Sequence, residues 1–240
     1  MRLFGLIGFP LSHSFSKGFF TEKFSRENIP GCAYENFPIP DISAFPSLWE
    51  NNPALEGLNV TIPYKQAVMP YLDELTDAAK AIGAVNCIRR NGKRLIGHNT
   101  DVLGFGRSLQ PLLAAHHTQA LVLGTGGAAQ AVKYALTSLN IPYTEVSRSG
   151  PVTYEAVTEE MMRSHKLIVN TTPLGMYPNV DAAPPLPYTF AGPEHLFYDL
   201  VYNPAETLFM KKGLERGAAA KNGHEMLILQ AEASWEIWND

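Results

Sequence analysis

The stretch ALVLGTGGAAQAV at 120–132 constrains the fold of this chain more than any other. An apolar run is followed by clustered glycines and then by residues that start a helix. Gly124, Gly126 and Ala129 fit the pattern G-x-G-x-x-[GA]. The first glycine permits a tight turn, the second lets backbone approach a pyrophosphate, and the small third residue lets the helix pack closely on the strand. The free amides and dipole of the helix start then favour phosphate charge. A tight turn without a ligand can carry the same glycines. The order strand, glycines, helix is what marks a dinucleotide-binding βαβ unit.

The next strand, Tyr143-Thr144-Glu145-Val146, ends in Ser147-Arg148-Ser149. A site that prefers NAD carries an acidic residue about 20 residues on, bound to the ribose hydroxyls. Here an arginine and two serines stand at the strand end. A guanidinium can hold a phosphate through two parallel hydrogen bonds, which favours NADP(H). The other reading of Arg148 is a solvated surface charge. Strand alternation leaves the facing of Glu145 open.

Apolar periodicity extends the pattern in both directions. Ahead of the glycine turn it predicts strands at 3–7, 34–39 and 58–62, and helices at 14–24, 42–50, 66–75, 77–81 and 102–113. A hairpin of 84–89 with 94–96 turns at Asn91-Gly92. Beyond the glycine turn it predicts helices at 128–139, 157–164 and 207–216, strands at 167–170 and 197–201, and a closing apolar-striped helix at 225–238. The fold class is therefore α/β, with a mostly parallel N-terminal sheet followed by a Rossmann-type unit. A length of 240 residues suits one large domain or two small ones.

The formal net charge is −4 and no long basic run exists, so nothing visible attracts nucleic acid or an anionic membrane. Cys32 and Cys87 lack metal-ligand spacing. They read as free thiols of a reducing compartment, with no metal site. The N-terminal MRLFGLIGFPLSHS is broken by Gly5, Gly8 and Pro10 before an apolar core long enough for a signal peptide or a spanning helix. A cytoplasmic protein is expected.

Three polar clusters exceed what packing requires. Ser12-His13-Ser14-Phe15-Ser16 follows a strand at a helix start. One hydroxyl can cap the helix, and three in five residues suit a carboxylate or diol ligand. Asn59-Val60-Thr61-Ile62-Pro63-Tyr64-Lys65 runs from an apolar strand to a lysine at its C-terminal exit, where open α/β sheets bind ligands. Asn86 in GAVNC is joined by His98-Asn99-Thr100-Asp101 after the hairpin. Lys65 and Asp101 are the candidate pair for acid–base work. Such a pair either relays a proton or forms a structural salt bridge, and both readings stay open.

In this order SHSFS, NVTIPYK, GAVN, NTD, GTGGAA, SRS, NTTPLGM, YDLVYNP and NGHEMLILQA resemble the shikimate dehydrogenase family over nearly the whole chain. The resemblance implies oxidation of the shikimate C3 hydroxyl to 3-dehydroshikimate with NADP⁺, run in reverse in aromatic biosynthesis. It implies Ser14 and Ser16 on the substrate carboxylate, and Thr61, Lys65, Asn86 and Asp101 around the ring hydroxyls. Lys65 would give and take the proton with Asp101 orienting it, and Tyr202 and Gln230 would close the pocket. On the cofactor side it implies Gly124, Thr125, Gly126, Gly127 and Ala128 at the pyrophosphate. Ser147, Arg148 and Ser149 would stand at the 2′-phosphate, Leu200 and Gly223 at the nicotinamide end, and Asp77 near the cofactor. Domains are expected at 1–103 for substrate and at 104–222 for NADP, with 223–240 as a helix packing back on the first. The partner would be a small-molecule substrate, in a monomer or homodimer.

The chain departs from the family pattern in places. Lys17 stands where a proline commonly opens the helix. Gly150-Pro151 replaces a lysine often found after the arginine, and His224-Glu225 interrupts the usual closing motif. Three rivals remain: a quinate/shikimate dehydrogenase with relaxed cofactor use, a two-domain dehydrogenase of the methylenetetrahydrofolate type, and a non-catalytic NADP- or metabolite-sensing module. The SHSFS hydroxyls speak against the second, and retention of both Lys65 and Asp101 against the third.

Overall fold

The computed structural model describes residues 1–11 and 14–240. The chain divides into two compact units, Met1–Thr100 with Ala231–Asp240, and Asp101–Gln230. In chain order the first unit forms β1 (Arg2–Gly8), α1 (Phe15–Arg26), β2 (Cys32–Pro38), α2 (Phe45–Asn51), β3 (Leu55–Val60), β4 (Glu74–Leu75), α3 (Asp77–Ile82), β5 (Cys87–Asn91) and β6 (Arg94–His98). The chain continues through α4 (Asp101–Leu109), β7 (Ala120–Leu123), α5 (Gly127–Ser138), β8 (Tyr143–Val146), α6 (Glu159–Ser164), β9 (Leu167–Asn170), β10 (Leu196–Asp199), α7 (Leu208–Leu214), β11 (Ala219–Lys221) and α8 (His224–Asn239). The end of α8, from Ala231, belongs to the first unit.

The sheet of the first unit has the order β2-β1-β3-β5-β6-β4. β1 pairs in parallel with β2 and β3, and β4 with β6, while β5 runs antiparallel to both its neighbours. The sheet is mixed because the Asn91-Gly92 turn, with Gly92 at φ +63, reverses the chain between β5 and β6. On one face Ile7, Leu55, Leu58 and Ile88 meet Phe45, Leu48 and Trp49 of α2. On the other, Phe4, Leu6 and Tyr34 meet Phe20 and Phe24 of α1 and Trp238 of α8. Trp238 stacks on Phe4 with ring centroids 4.8 Å apart and donates its indole N–H to Ile88 O at 3.0 Å. Lys23 of α1 is buried yet paired, with Glu27 at 2.9 Å and Glu232 of α8 at 2.6 Å. Burial opposes its charge, and hydrogen bonds to the two carboxylates outweigh that and raise its pKa.

The helix predicted at 66–75 does not form. Turns lead into a single 3₁₀ turn at Met69–Tyr71, and the edge strand β4 follows. Pro70 lacks an N–H and blocks helical propagation. Leu72 and Leu75 settle on Gly97 of β6, where an added Cβ would lie 2.6 Å and 2.8 Å from them.

The second unit carries a five-stranded sheet, β11-β10-β9-β7-β8, parallel throughout. Its central strands β7, β9 and β10 are apolar up to their C-terminal ends because alternate residues feed two cores. Ala120, Val122, Leu167 and Val169 face Phe105, Leu109 and the α5 residues Val132 and Leu136. Leu121, Leu123, Ile168 and Phe197 face Met162, Phe209 and Met210. β8 and β9 lie on opposite sides of β7, so the crossovers diverge there. That leaves a crevice beyond the C-terminal end of β7. The edge strand β11, Ala-Ala-Lys, was not predicted. Threonine caps shorten two predicted helices: Thr158 accepts from Met161 N at 3.2 Å and Thr207 from Met210 N at 3.3 Å.

Candidate functional site

The crevice beyond β7 is shaped by glycine. Gly124 has φ +108, and a Cβ there would lie 2.8 Å from Thr171 Oγ1 and 3.0 Å from Thr172 Cγ2. Conformation and space both demand glycine. Gly126 stands at the N-cap of α5 without a side-chain cap, and the first turn holds no acidic residue. Side chains at Gly126 and Gly127 would point into open space, so the helix-start amides stay uncovered. Ala129 is buried against the strand.

A cavity of about 620 Å³ opens at this turn. It is lined by Gly124, Thr125 and Gly126, by Ser147, Arg148 and Ser149, and by Tyr154, Glu155, Thr171, Thr172 and Leu174 among others. Gly127 and Ala128 open α5 beside it, exposed. Arg148 is exposed on the cavity wall and forms no ion pair or side-chain hydrogen bond among the described residues. Burial pushes the Tyr154 phenol up, and the Arg148 charge opposes that. Glu145, whose facing the sequence left open, is paired with Lys133 of α5 at 2.5 Å and does not line the cavity. Glu155 does line it. Its carboxyl is held below the usual range by its own backbone N–H and the Thr153 hydroxyl. Uncapped amides, a glycine the space requires and an unpaired guanidinium suit a phosphorylated dinucleotide.

Behind the cavity lies a polar network that sequence reasoning missed. Asn170 Nδ2 donates to Asp199 Oδ1 at 2.9 Å, and Asn170 Oδ1 accepts from Thr172 N and Oγ1 at 3.0 and 2.7 Å. Asp199 also accepts from Val201 N at 3.0 Å and Thr207 Oγ1 at 2.6 Å. Burial raises Asp199 to about 6 against these hydrogen bonds. The available signal was a polar residue ending each of two adjacent apolar strands, LIVN and LFYD. The network fixes the start of the segment that carries Leu200 and Tyr202. Leu200 N donates to Asn170 O at 2.9 Å, and Gly223 N donates to Val201 O at 3.2 Å. Gly223 is pressed so closely on the Leu200 carbonyl that any Cβ would collide with it. Tyr202 is exposed, and Gln230 Nε2 donates to Leu227 O at 2.9 Å.

In the first unit Ser14 caps α1, accepting from Lys17 N at 3.4 Å. The Lys17 departure is thus accommodated, since a proline could not supply that N–H. Ser16 lies in the first turn, half-buried. Ser12 and His13 fall outside the described residues. Thr61 N donates to Ile7 O at 3.0 Å, Val60 N to Asn86 O at 2.9 Å and Asn86 N to His98 O at 3.0 Å. With Thr100 N donating to Asn86 Oδ1 at 2.6 Å, these bonds hold Thr61, Asn86 and Thr100 together at one end of the central strands. Lys65 is half-buried and accepts from Val85 N through its carbonyl at 2.7 Å, which fixes its backbone next to the Asn86 strand. Asp77 is exposed in the first turn of α3, and Asp101 opens α4. Cys32 and Cys87 are free thiols. Among the described residues, no cluster of three His, Cys, Asp or Glu could hold a metal, and no helix is long and apolar enough to cross a membrane.

A parallel sheet wound to a switch point, with a glycine turn and an arginine-walled cavity there, defines a dinucleotide-binding α/β protein. The chain belongs to the shikimate dehydrogenase family. Residues 6–88 match the family model described as the shikimate dehydrogenase substrate binding domain. The shikimate dehydrogenase (NADP(+)) of Clostridium beijerinckii is 38% identical over 253 residues, covering 100% of this chain and 93% of that protein. The shikimate 5-dehydrogenase of Thermus thermophilus, solved with NADP(H) and shikimate, aligns with TM-score 0.85 and 30% identity over 99% of this chain and 93% of that one. The enzyme of Listeria monocytogenes, solved with shikimate and NAD, aligns with TM-score 0.90 and 25% identity over 100% and 92%.

Proposed function

We propose that this chain is an NADP-dependent shikimate dehydrogenase that reversibly reduces 3-dehydroshikimate to shikimate in aromatic amino acid biosynthesis. The observation that carries the reading is Arg148, on the wall of the glycine-turn cavity and without an ion pair among the described residues, in a chain of this family. NADP(H), when bound, supplies or takes up the hydride. Gly124, Thr125, Gly126, Gly127 and Ala128 receive the pyrophosphate, and Ser147, Arg148 and Ser149 the 2′-phosphate. Leu200 and Gly223 line the nicotinamide end. Asp77 belongs to the cofactor set on the family pattern alone.

Ser14 Oγ accepts an N–H from Lys17, which leaves its own proton for a carboxylate. Ser16 shares that carboxylate, and Thr61 and Asn86 take ring hydroxyls. As the carbonyl carbon is reduced its oxygen gains negative charge. The Lys65 ammonium stabilises that charge and then supplies the proton. Asp101 orients Lys65, and Tyr202 and Gln230 close the pocket. A cytoplasmic location, as a monomer or homodimer with no nucleic-acid or membrane partner, belongs to the same reading. The free thiols and the net charge of −4 support it.

The test is a side-by-side measurement of kcat/KM for shikimate and quinate with NADP⁺ and NAD⁺. The reading expects shikimate with NADP⁺ to lead by at least about tenfold, the discrimination one lost charge-assisted contact gives. Equal use of quinate or of NAD⁺ moves the chain to the quinate/shikimate rival. Tight NADPH binding without turnover makes it a sensing module.

A further inference from the structure

Tyr154 lines the glycine-turn cavity and is 7% exposed. Its ring belongs to the apolar core that holds Leu123, Val146, Val157 and Ile168. Its hydroxyl makes no hydrogen bond among the described residues. That oxygen is not sealed in the core. The sealed side-chain polar atoms without a partner among those residues are Asn36 Oδ1, Trp49 Nε1 and His98 Nε2. The little surface that Tyr154 keeps therefore includes its hydroxyl, and the space it faces is the cavity. A hydroxyl left this deep without an acceptor is costly, and in a cavity wall it points to a ligand that completes it.

The chain brings that hydroxyl to Arg148. After Arg148 the backbone doubles back, so that Ser147 N donates to Val152 O at 3.1 Å and Ser147 pairs with Thr153 in a parallel bridge. A 3₁₀ turn, Tyr154–Ala156, follows at once, with Ala156 N donating to Thr153 O at 3.0 Å. Tyr154 thus stands on the wall that carries Ser147, Arg148 and Ser149. Burial pushes its phenol up and the Arg148 charge opposes that, so the hydroxyl end of the ring is the end near the guanidinium. The proton stays on the oxygen at neutral pH, which leaves it a donor. Glu155, the next residue on the wall, is not its acceptor. That carboxylate takes its own backbone N–H and the Thr153 hydroxyl. A hydroxyl donor beside a guanidinium suits a charged group with several acceptor oxygens. A neutral sugar hydroxyl would use the donor and leave the charge without a counter-ion.

We propose that Tyr154 is a further ligand of the NADP(H) 2′-phosphate, its hydroxyl donating to a phosphate oxygen beside the Arg148 guanidinium and adding to the preference for NADP(H) over NAD(H). This rests on the cavity being the NADP(H) site, as in the functional reading above. The buried ring holds the hydroxyl in place before the cofactor arrives, so binding orders little that is not already ordered.

The experiment compares Tyr154→Phe with wild type in the full chain. Calorimetry reads Kd for NADPH, NADH, adenosine 2′,5′-bisphosphate and 5′-AMP, and Tm and kcat at saturating NADPH are measured alongside. Phenylalanine keeps the ring and removes an oxygen that has no internal bond to lose, so Tm should not fall. Kd for NADPH and for the bisphosphate should rise about 5-fold, as for one lost hydrogen bond to a charged group at a partly solvated site. Kd for NADH and 5′-AMP, and kcat, should stay within about 2-fold by the same reasoning. An equal loss for NADPH and NADH puts the hydroxyl on the part both nucleotides share and overturns the inference. So does an unmoved NADPH Kd in a protein whose wild type prefers NADPH. A Tm lowered by several degrees with every Kd raised makes Tyr154 a packing residue and also overturns it. If wild type binds the bisphosphate no more tightly than 5′-AMP, the cavity is not an NADP(H) site, and the functional reading falls with the inference.

Discussion

Replacing Arg148 with alanine removes the only cation that lines the glycine-turn cavity among the described residues. The backbone there should survive. Arg148 follows β8, its side chain is exposed, and it holds no ion pair or side-chain hydrogen bond among those residues. Stability should therefore move within about 0.5 kcal/mol, as for an ordinary surface change. Binding is another matter. A charge-assisted hydrogen bond to phosphate contributes about 1.5–3 kcal/mol, and exposure to solvent pulls this one towards the lower end. The NADPH Kd should rise about tenfold. NADH lacks the 2′-phosphate, so its Kd should stay within about twofold by the same reasoning. Fluorescence titration of both nucleotides, at two salt concentrations, reads the difference. Added salt should weaken NADPH binding to the wild type more than to the variant. Equal loss for both nucleotides, or no loss for either, refutes the assignment of Arg148 to the phosphate.

Three further outcomes follow from the same geometry. Asp199 is buried and raised to about 6 from an ordinary value of 3.8, so the folded state holds its proton more tightly than the unfolded chain does. Stability from this group is complete below about pH 4 and is lost as pH climbs to about 6, by up to about 3 kcal/mol. Asp199→Asn should flatten that stretch of the urea midpoint against pH, and an unchanged slope contradicts the account. Gly124→Ala should cost about 2–4 kcal/mol through the positive φ and the contact with Thr171, and it should abolish tight NADPH binding; a variant as stable as wild type rules this out. Trp238→Ala should cost about 3–5 kcal/mol in urea unfolding, since the indole is buried, stacks on Phe4 and bonds to Ile88 O. A loss below about 1 kcal/mol would mean that the end of α8 is not a structural clamp.

The parallel unit was legible because its strands are short apolar runs and its central turn is fixed by local demands on Gly124. Such constraints are written in adjacent residues. β4 is not legible because the apolar spacing of Met69, Leu72 and Leu75 suits a helix, while Pro70 blocks that helix and the strand itself has only two residues. β11 has three residues and no pattern to find. On the cofactor side, Ser147-Arg148-Ser149 lines the cavity at the glycine turn, while the pairing of Glu145 with Lys133 needed coordinates. The Asn170–Asp199 network and the buried hydrogen bond from Asn59 Nδ2 to Ser234 Oγ join residues up to 175 positions apart. No local spacing encodes them, and only the finished fold brings their donors and acceptors together.

The central chemical claim is that the Lys65 ammonium supplies the proton when the keto group is reduced. Oxidation of NADPH by 3-dehydroshikimate, followed by absorbance in wild type and Lys65→Ala with NADPH Kd measured alongside, tests it most directly. The account expects kcat to fall by about 10²-fold or more while NADPH Kd stays within about 2-fold. A Lys65→Ala enzyme with near wild-type kcat, or one whose losses in kcat and NADPH affinity are equal, contradicts it.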